Sequence, residues 1–248
     1  MVSPPGPPIP RASSPLACNL QGWGGRRGAD RAVEVGAVPT AGVAVSFDLF
    51  GTLVDVDRPA DPAAAVAAEL DARDVPVPDD WARAYGQRHV DAPDGAEVPL
   101  PAHVNAALAS RGVRARSNAV RRAVVAAFDP DVETRPGAAE AVAAAAERGP
   151  VGILSNCSVP ELAGKTLIRA DIDRDAFDIV VTSVGCGWRK PDPRAFEAVA
   201  GHLEVPVSAL THVGDDPDTD GGATDAGARA VLLSDVPLAD LPAYLGWE

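Results

Sequence analysis

The chain has few of the residues that often reveal where a protein works. Aromatic residues make up 4% of its 248 residues, only two residues are lysine, and the three cysteines show no metal-ligand spacing. No apolar run approaches the roughly 18 residues that a membrane span requires. Ala, Val and Leu must therefore fill most of the core, and the composition predicts no membrane partner.

The cysteines and a basic pair near the start bear on the compartment. Cys18, Cys157 and Cys186 are an odd set, which is typical of free thiols in a reducing environment. Arg26 and Arg27 form a twin-arginine pair, but no apolar segment follows them, so we expect no export signal there. Together these features predict a cytoplasmic protein.

Positive charge is scarce and unevenly spread. The formal net charge is −13, and residues 1–40 carry four Arg against two acidic residues. Residues 41–248 therefore carry −15, from 18 basic and 33 acidic side chains. Such a surface repels nucleic acid and anionic membranes, so neither is an expected partner. An acidic, Ala-rich and nearly lysine-free composition also resembles that of halophilic proteins.

Two regions differ in pattern. Residues 1–40 are rich in Pro, Gly and Ser without periodicity, and such a segment buries too little apolar surface to offset the entropy lost on ordering, so we predict a disordered tail. Residues 41–57 and 132–248 alternate short apolar runs with helical stretches, which predicts an α/β fold with a doubly wound parallel sheet. The predicted strands are 43–47, 151–154, 179–182, 210–213 and 230–233, and the clearest helices are 137–148 and 192–203.

About a hundred residues separate the first two predicted strands, far more than an ordinary crossover needs. The interval predicts helices near 62–73, 80–88, 101–111 and 117–128. An insertion after the first strand would lie over the carboxyl ends of the strands, where sites in such sheets form. We therefore predict that residues 58–131 form a small helical cap domain.

Polar residues follow the predicted strands at that same edge. They are Asp48, Ser155-Asn156, Arg189-Lys190 and Asp215-Asp216. Singly, an Asp after a strand is often a helix cap and a lone Lys is usually a solvated charge. Because four such positions meet at one edge, they predict an active site.

Four segments resemble the ordered motifs of the haloacid dehalogenase superfamily. They are Phe47–Leu53, Ile153–Asn156, Trp188–Pro193 and His212–Asp216, the last followed by Asp220 and Gly222-Ala223. Their order and spacing agree over roughly residues 43–234, including a helical cap between the first two motifs. The resemblance therefore covers most of the chain.

The resemblance implies a hydrolase in which Asp48 attacks the substrate and forms a covalent intermediate that water then hydrolyses. It implies Mg²⁺, which prefers oxygen ligands, at Asp48, the main-chain carbonyl of Phe50 and Asp215. Most phosphatases of the family act on small phosphoesters, which are the substrate that it implies here. The other implied roles are catalysis by Ser155 and Lys190, substrate binding by Thr52 and the amide of Asn156, and support by Gly51, Asp216 and Asp220.

One position departs from the family's phosphatase pattern. A second Asp usually stands two residues after the nucleophile as general acid, and here that residue is Phe50. Phenyl cannot transfer a proton. His89 or His103 of the predicted cap could replace it, although a lone histidine there is more often structural.

Three interpretations follow from Phe50. The chain is a Mg²⁺-dependent phosphatase for esters with good leaving groups, a 2-haloacid dehalogenase-like hydrolase that forms an ester on Asp48, or a non-catalytic binding protein on this scaffold. Dehalogenases of the family work without metal, whereas Asp215 and Asp216 need a cation to balance them. Phosphonate cleavage needs a cap lysine, and residues 58–131 contain none. Symmetric dimers are the commonest soluble oligomers, so a homodimer is also an open alternative.

Overall fold

The computed structural model describes residues 44–116 and 118–247, so the predicted tail at residues 1–40 and Cys18 lie outside the described residues. The strands are β1 Ala44–Phe47, β2 Val54–Val56, β3 Val132–Thr134, β4 Val151–Ser155, β5 Ile179–Thr182, β6 Leu210–Gly214 and β7 Arg229–Leu232. The helices are α1 Pro62–Asp71, α2 Trp81–Tyr85, α3 Leu100–Ala109, α4 Ala119–Ala127, α5 Ala138–Ala146, α6 Leu162–Arg169, α7 Ser183–Cys186, α8 Pro193–His202, α9 Gly222–Asp225 and α10 Leu241–Leu245. Short 3₁₀ turns lie at Arg174–Ala176, Val207–Ala209 and Leu238–Asp240.

Five parallel strands form the main sheet in the order β5-β4-β1-β6-β7. Strand β1 is central, and its last residue, Phe47, pairs with Ile153 of β4 and Val213 of β6. All five predicted strands belong to this sheet, which confirms the predicted α/β fold. The chain adds β4 and β5 on one side of β1, and β6 and β7 on the other side. Ligand sites in open α/β sheets form at such a switch point, outside the carboxyl ends of the strands.

Both faces of the sheet are covered, which explains why its strands read as continuous apolar runs. Val45 and Phe47 point into one core, packed with α5, α6 and α10, whereas Ala44 points into a second core around α8. Alternate residues of one strand therefore fill two different cores.

The helical insertion (residues 58–131) has a hydrophobic core of its own. Its four helices pack around Val66, Leu70, Val104, Leu108 and Val124, and Cys157 and Val159 extend this core to the sheet edge. A two-stranded antiparallel ladder of β2 and β3, which the sequence analysis did not predict, pairs Val56 with Val132 at the ends of the insertion. The boundaries at residues 58 and 131 stay a prediction.

The insertion also contacts the loop that follows β5. Segment 95–97 lies antiparallel to segment 187–189, with two backbone hydrogen bonds of 2.9 Å each between them. The Glu97 carboxylate, which is almost completely buried, accepts hydrogen bonds from Arg189 at 2.9 Å and from the Ser183 hydroxyl. These contacts fix the insertion beside the carboxyl ends of the strands.

Across residues 44–116 and 118–247, none of the helices combines the length and the apolar character that a membrane crossing would require.

Close packing at Gly152 of β4 provides a test of the fold. A Cβ there would lie 3.1 Å from side-chain atoms of Ile179 and Val199, so Gly152→Ala should lower the free energy of unfolding by about 1–3 kcal/mol. Gly201 of α8 has no atom within 4 Å of such a Cβ, so Gly201→Ala should raise it by about 0.5–1 kcal/mol. Urea unfolding of the two variants measures both values, and equal effects would contradict this packing.

Candidate active site

A pocket of about 330 Å³ opens at the carboxyl ends of the strands. Its walls are formed by Asp48, Phe50, Arg58, Ser155, Asn156, Arg189, Lys190, Asp215, Asp216 and Thr219. Seven of these were predicted from the sequence as site residues. The sheet brings them together because Asp48 follows β1, Ser155 ends β4 and Asp215 follows β6.

Lys190 is the central cation of the pocket and is only 3% exposed. Its ammonium donates to the carbonyl of Leu154 at 2.9 Å and to Oδ1 of Asp220 at 2.6 Å. It also lies 2.9 Å from Oδ1 of Asp48, as an ion pair whose angles do not meet those of a hydrogen bond. The ammonium therefore keeps the Asp48 carboxylate next to a positive charge.

The Asp220 carboxylate is buried and fully engaged by donors. Its Oδ1 also accepts from Nε2 of His212 at 2.9 Å, and its Oδ2 accepts from the backbone N–H of Asp216 at 3.0 Å. Although burial opposes ionisation, the hydrogen bond from His212 and the charge of Lys190 hold the pKa of Asp220 well below its usual range. Asp220 therefore stays ionised and orients Lys190, one of the supporting roles expected for it.

His212 is completely buried behind this pair, and burial together with Lys190 lowers its pKa. The imidazole is then neutral. Because Asp220 only accepts, Nε2 carries the hydrogen, and Nδ1 accepts from the Ser46 hydroxyl at 2.8 Å. A buried chain thus runs from Ser46 through His212 and Asp220 to Lys190. This hydrogen-bonded series could not be predicted from the sequence, because Ser46 looks like one more residue of a buried strand.

Asp215, which follows β6, also lines the pocket. The Thr52 hydroxyl donates to its Oδ1 at 2.8 Å. Burial of the carboxylate raises the pKa of Asp215, the Thr52 hydrogen bond lowers it, and the charges of Asp48 and Asp220 raise it further. Thr52 is itself completely buried, so its hydroxyl positions Asp215, whereas the sequence analysis expected it to bind substrate.

Two glycines make room for the carboxylates. A Cβ on Gly51, whose φ is +86°, would lie 2.6 Å from Oδ2 of Asp215. A Cβ on Gly214 would lie 2.1 Å from the carboxyl carbon of Asp220. Both distances are shorter than non-bonded atoms tolerate, so glycine is needed at both positions for the carboxylates to lie where they do.

The carboxylates fit a divalent cation. Asp48, Asp215 and Asp220 each place an oxygen within 4.8 Å of the others. Oδ1 of Asp48 is buried and lies 2.9 Å from the Lys190 ammonium. Because Asp220 is engaged by other donors, the oxygens open to an ion belong to Asp48 and Asp215. Like charges this close repel unless a cation offsets them, and oxygen donors suit hard divalent ions.

Ser155 and Asn156 behave differently from each other. The Ser155 hydroxyl is buried, lines the pocket and finds no hydrogen-bond partner within residues 44–116 and 118–247. Such a hydroxyl is available to a ligand. The side chain of Asn156 instead clamps the backbone of Lys190, donating to its carbonyl at 2.9 Å and accepting from its N–H at 2.8 Å.

The two histidines considered as replacements for the missing acid lie away from this pocket. Nε2 of His89 is 2.7 Å from the carbonyl of Ala84, and Nε2 of His103 is 2.7 Å from that of Tyr85. Both line a separate surface pocket of the insertion. The structure thus favours the structural interpretation of these two histidines.

Other residues that the sequence singled out pack rather than react. Cys157 is buried in the core of the insertion, and burial raises the pKa of its thiol. Trp188 stacks under the guanidinium of Arg194, 3.2 Å from the ring centre, and anchors its loop.

The chain resembles known proteins in both sequence and structure. A family model described as haloacid dehalogenase-like hydrolase matches residues 43–227. A protein of Mycobacterium tuberculosis named as a phosphatase is 34% identical over 123 residues, which are 49% of this chain and 54% of that protein. Haloacid dehalogenase-like hydrolase domain-containing protein 3 of Bos taurus is 41% identical over 62 residues, 25% of each chain. The match thus spans about half of the first relative and a quarter of the second.

Two solved structures share the fold. A 2-haloacid dehalogenase from Pseudomonas syringae superposes with a TM-score of 0.54 at 22% identity, covering 82% of this chain and 97% of its own. A predicted phosphoglycolate phosphatase from Haemophilus somnus gives a TM-score of 0.51 at 16% identity, covering 84% and 99%. At these identities the likeness concerns the fold alone, and it includes proteins named for two different chemistries.

Both oxygens of Asp220 accept hydrogen bonds, and replacing the carboxylate by an amide tests these contacts. An amide has one acceptor oxygen and one donor NH₂, so Asp220→Asn must turn a donor towards Lys190, His212 or the Asp216 N–H. Because breaking a buried ion pair is costly, we expect a loss of about 3 kcal/mol in the free energy of unfolding. Asp218→Asn removes the same charge from an exposed residue of the same loop and should change it by less than about 0.5 kcal/mol. Urea unfolding at neutral pH measures both, and similar losses in the two variants would argue against the pairing.

Proposed function

The chain belongs to the haloacid dehalogenase-like hydrolases, and we propose that it is a Mg²⁺-dependent phosphatase that acts on a small phosphate monoester through Asp48. The observation that carries this proposal is the pairing of Asp48 with Lys190 beside the exposed carboxylate of Asp215. Carboxylates gathered in this way suit a metal-dependent site, whereas a metal-independent dehalogenase would have to hold Asp48, Asp215 and Asp220 together with one ammonium, that of Lys190, to offset three carboxylates.

In the proposed reaction, an ionised oxygen of Asp48 attacks phosphorus. The new bond between Asp48 and phosphorus forms as the bond to the leaving oxygen breaks, and the electron pair stays on that oxygen. Mg²⁺ held by Asp48, the Phe50 carbonyl and Asp215 would offset charge on the phosphoryl oxygens. Water then hydrolyses the aspartyl phosphate and restores the carboxylate.

Two side chains support that first step. The unpartnered Ser155 hydroxyl is placed to donate to a phosphoryl oxygen, and such preorganised donors stabilise charge that grows in the transition state. Lys190 neutralises Asp48 and the phosphoryl group together, while Asp220 keeps the ammonium in position. A role for the Asn156 backbone amide as a second donor remains part of the proposal.

Protonation of the leaving oxygen is the weak point of this site. Phe50 occupies the position of the usual acid, and both histidines of the insertion are bonded elsewhere. The proposed substrates are therefore esters whose leaving group departs without a proton from the protein. Release of halide from a 2-haloacid would also avoid the need for an acid, and this is the second candidate function.

The cysteines support the cytoplasm as the proposed compartment. Within the described residues, Cys157 and Cys186 form no disulfide, which suits a reducing environment.

Replacing the nucleophile tests the proposal directly. We expect the native chain to release phosphate from p-nitrophenyl phosphate with Mg²⁺, to lose this activity in EDTA and to regain it when Mg²⁺ is restored. Asp48→Asn should abolish the activity because an amide is not a nucleophile, while circular dichroism stays unchanged. Asp218→Asn is the control for charge. Retained turnover in Asp48→Asn would refute the proposal, and metal-independent chloride release from 2-chloropropionate would favour the dehalogenase.

Phe50 predicts how the rate depends on the leaving group. In the native chain, log kcat/KM should fall steeply across aryl phosphates as the pKa of the leaving phenol rises. Phe50→Asp places a carboxyl where a general acid acts, so it should raise kcat/KM for phenyl phosphate by about 10-fold or more, within the range that acid catalysis supplies. Phe50→Asn loses the same packing but cannot give a proton. Equal kinetics in the Asp and Asn variants would show that no acid is needed at this position.

A further inference from the structure

A second cavity of about 220 Å³ adjoins the catalytic pocket, and we call it the side pocket. It shares Phe50, Arg58, Asn156 and Arg189 with the catalytic pocket. Its own walls include the apolar side chains Val56, Phe128, Val159 and Leu162. A phosphoester bound at Asp48 would therefore extend its leaving group past Phe50 into a space that is partly lined by apolar side chains.

The cations around the two pockets differ in how they are paired. Lys190 lies between Asp48 and Asp220, and Arg189 is paired with Glu97 at 2.9 Å. Arg58, which is exposed, makes no hydrogen bond or ion pair with any part of the chain that the structure describes. It is thus the cation at the junction of both pockets whose charge is still available to a ligand.

We propose that Arg58 binds a carboxylate on the leaving group and that the side pocket holds the apolar body to which this carboxylate is attached. The inference rests on the proposed phosphatase function and names its substrate class: carboxylated phosphate monoesters. A protein cavity of about 150 Å³ can bind benzene, so the side pocket, at about 220 Å³, accommodates a body of one ring or a short branched chain.

A carboxylate suits this position better than a second phosphate does. One planar guanidinium pairs with one carboxylate through two parallel hydrogen bonds. Asp57 also lines the side pocket, and Asp215 and Asp216 line the neighbouring pocket. Their charges repel a dianion more strongly than a monoanion.

Three aryl phosphates separate these possibilities: 4-carboxyphenyl phosphate, 4-methylphenyl phosphate and 1,4-phenylene bisphosphate. Each is assayed with Mg²⁺ on the native chain, Arg58→Gln and Arg122→Gln. Arg122 is exposed on α4 and lines neither pocket, so its variant controls for the loss of one charge. A lost charge-assisted contact is worth about 10- to 100-fold. Arg58→Gln should therefore raise KM for the carboxylated ester at least 10-fold more than KM for the methyl ester, with kcat little changed.

The outcomes separate this inference from the proposed function. If the aryl phosphates are hydrolysed but Arg58→Gln affects the carboxylated and methyl esters alike, Arg58 does not read a carboxylate and the phosphatase proposal stands. A larger effect on the bisphosphate would assign Arg58 to a second phosphate and overturn the carboxylate. If no ester is hydrolysed, calorimetry with 4-hydroxybenzoate decides: binding to the native chain and to Arg122→Gln, but not to Arg58→Gln, supports the inference, and equal binding or none at all overturns it.

Discussion

The buried ammonium of Lys190 is the constraint on which the rest of the site depends. Removing a charge from water costs several kcal/mol unless partners replace the lost hydration. Those partners come from three places along the chain: Asp48 after β1, the Leu154 carbonyl in β4 and Asp220 after β6. One cation thus ties together three neighbouring strands at their carboxyl ends. Asp48, the proposed nucleophile, is held in place because it is one of the groups that this cation requires.

The loop that carries Lys190 is held from two sides. The Asn156 side chain fixes its backbone through two hydrogen bonds, and the adjacent Arg189 binds Glu97 of the helical insertion. The position of the insertion is therefore coupled to the position of the Lys190 ammonium, because Arg189 and Lys190 are adjacent in the chain. Phe50 adds to this coupling because it packs against both the core of the sheet and the core of the insertion. Phe50, which cannot act as an acid, thus serves as a packing contact between the core of the sheet and the core of the insertion.

The sheet could be predicted from the sequence because its strands are buried on both faces and read as continuous apolar runs. Most of the residues that line the candidate pocket could be predicted because motifs at the ends of these strands converge on one edge, and their roles stay predictions. The β2–β3 ladder was missed because each strand has only three residues. Thr52 was expected to touch substrate, and only the fold reveals that its hydroxyl faces Asp215. Arg58 carries no sequence signal, because the role proposed for it rests on the lack of a partner within residues 44–116 and 118–247.

Gly51 and Gly214 have a consequence for how this sequence can change over time. Each glycine lies where a carboxylate occupies the space of its absent Cβ, Asp215 for the first and Asp220 for the second. A lineage that replaces either glycine must first move or lose the matching aspartate. We therefore expect each glycine and its aspartate to be kept or lost together. In a survey of related genomes, chains that keep the aspartates but not the glycines would mark descendants in which selection on the site has been relaxed.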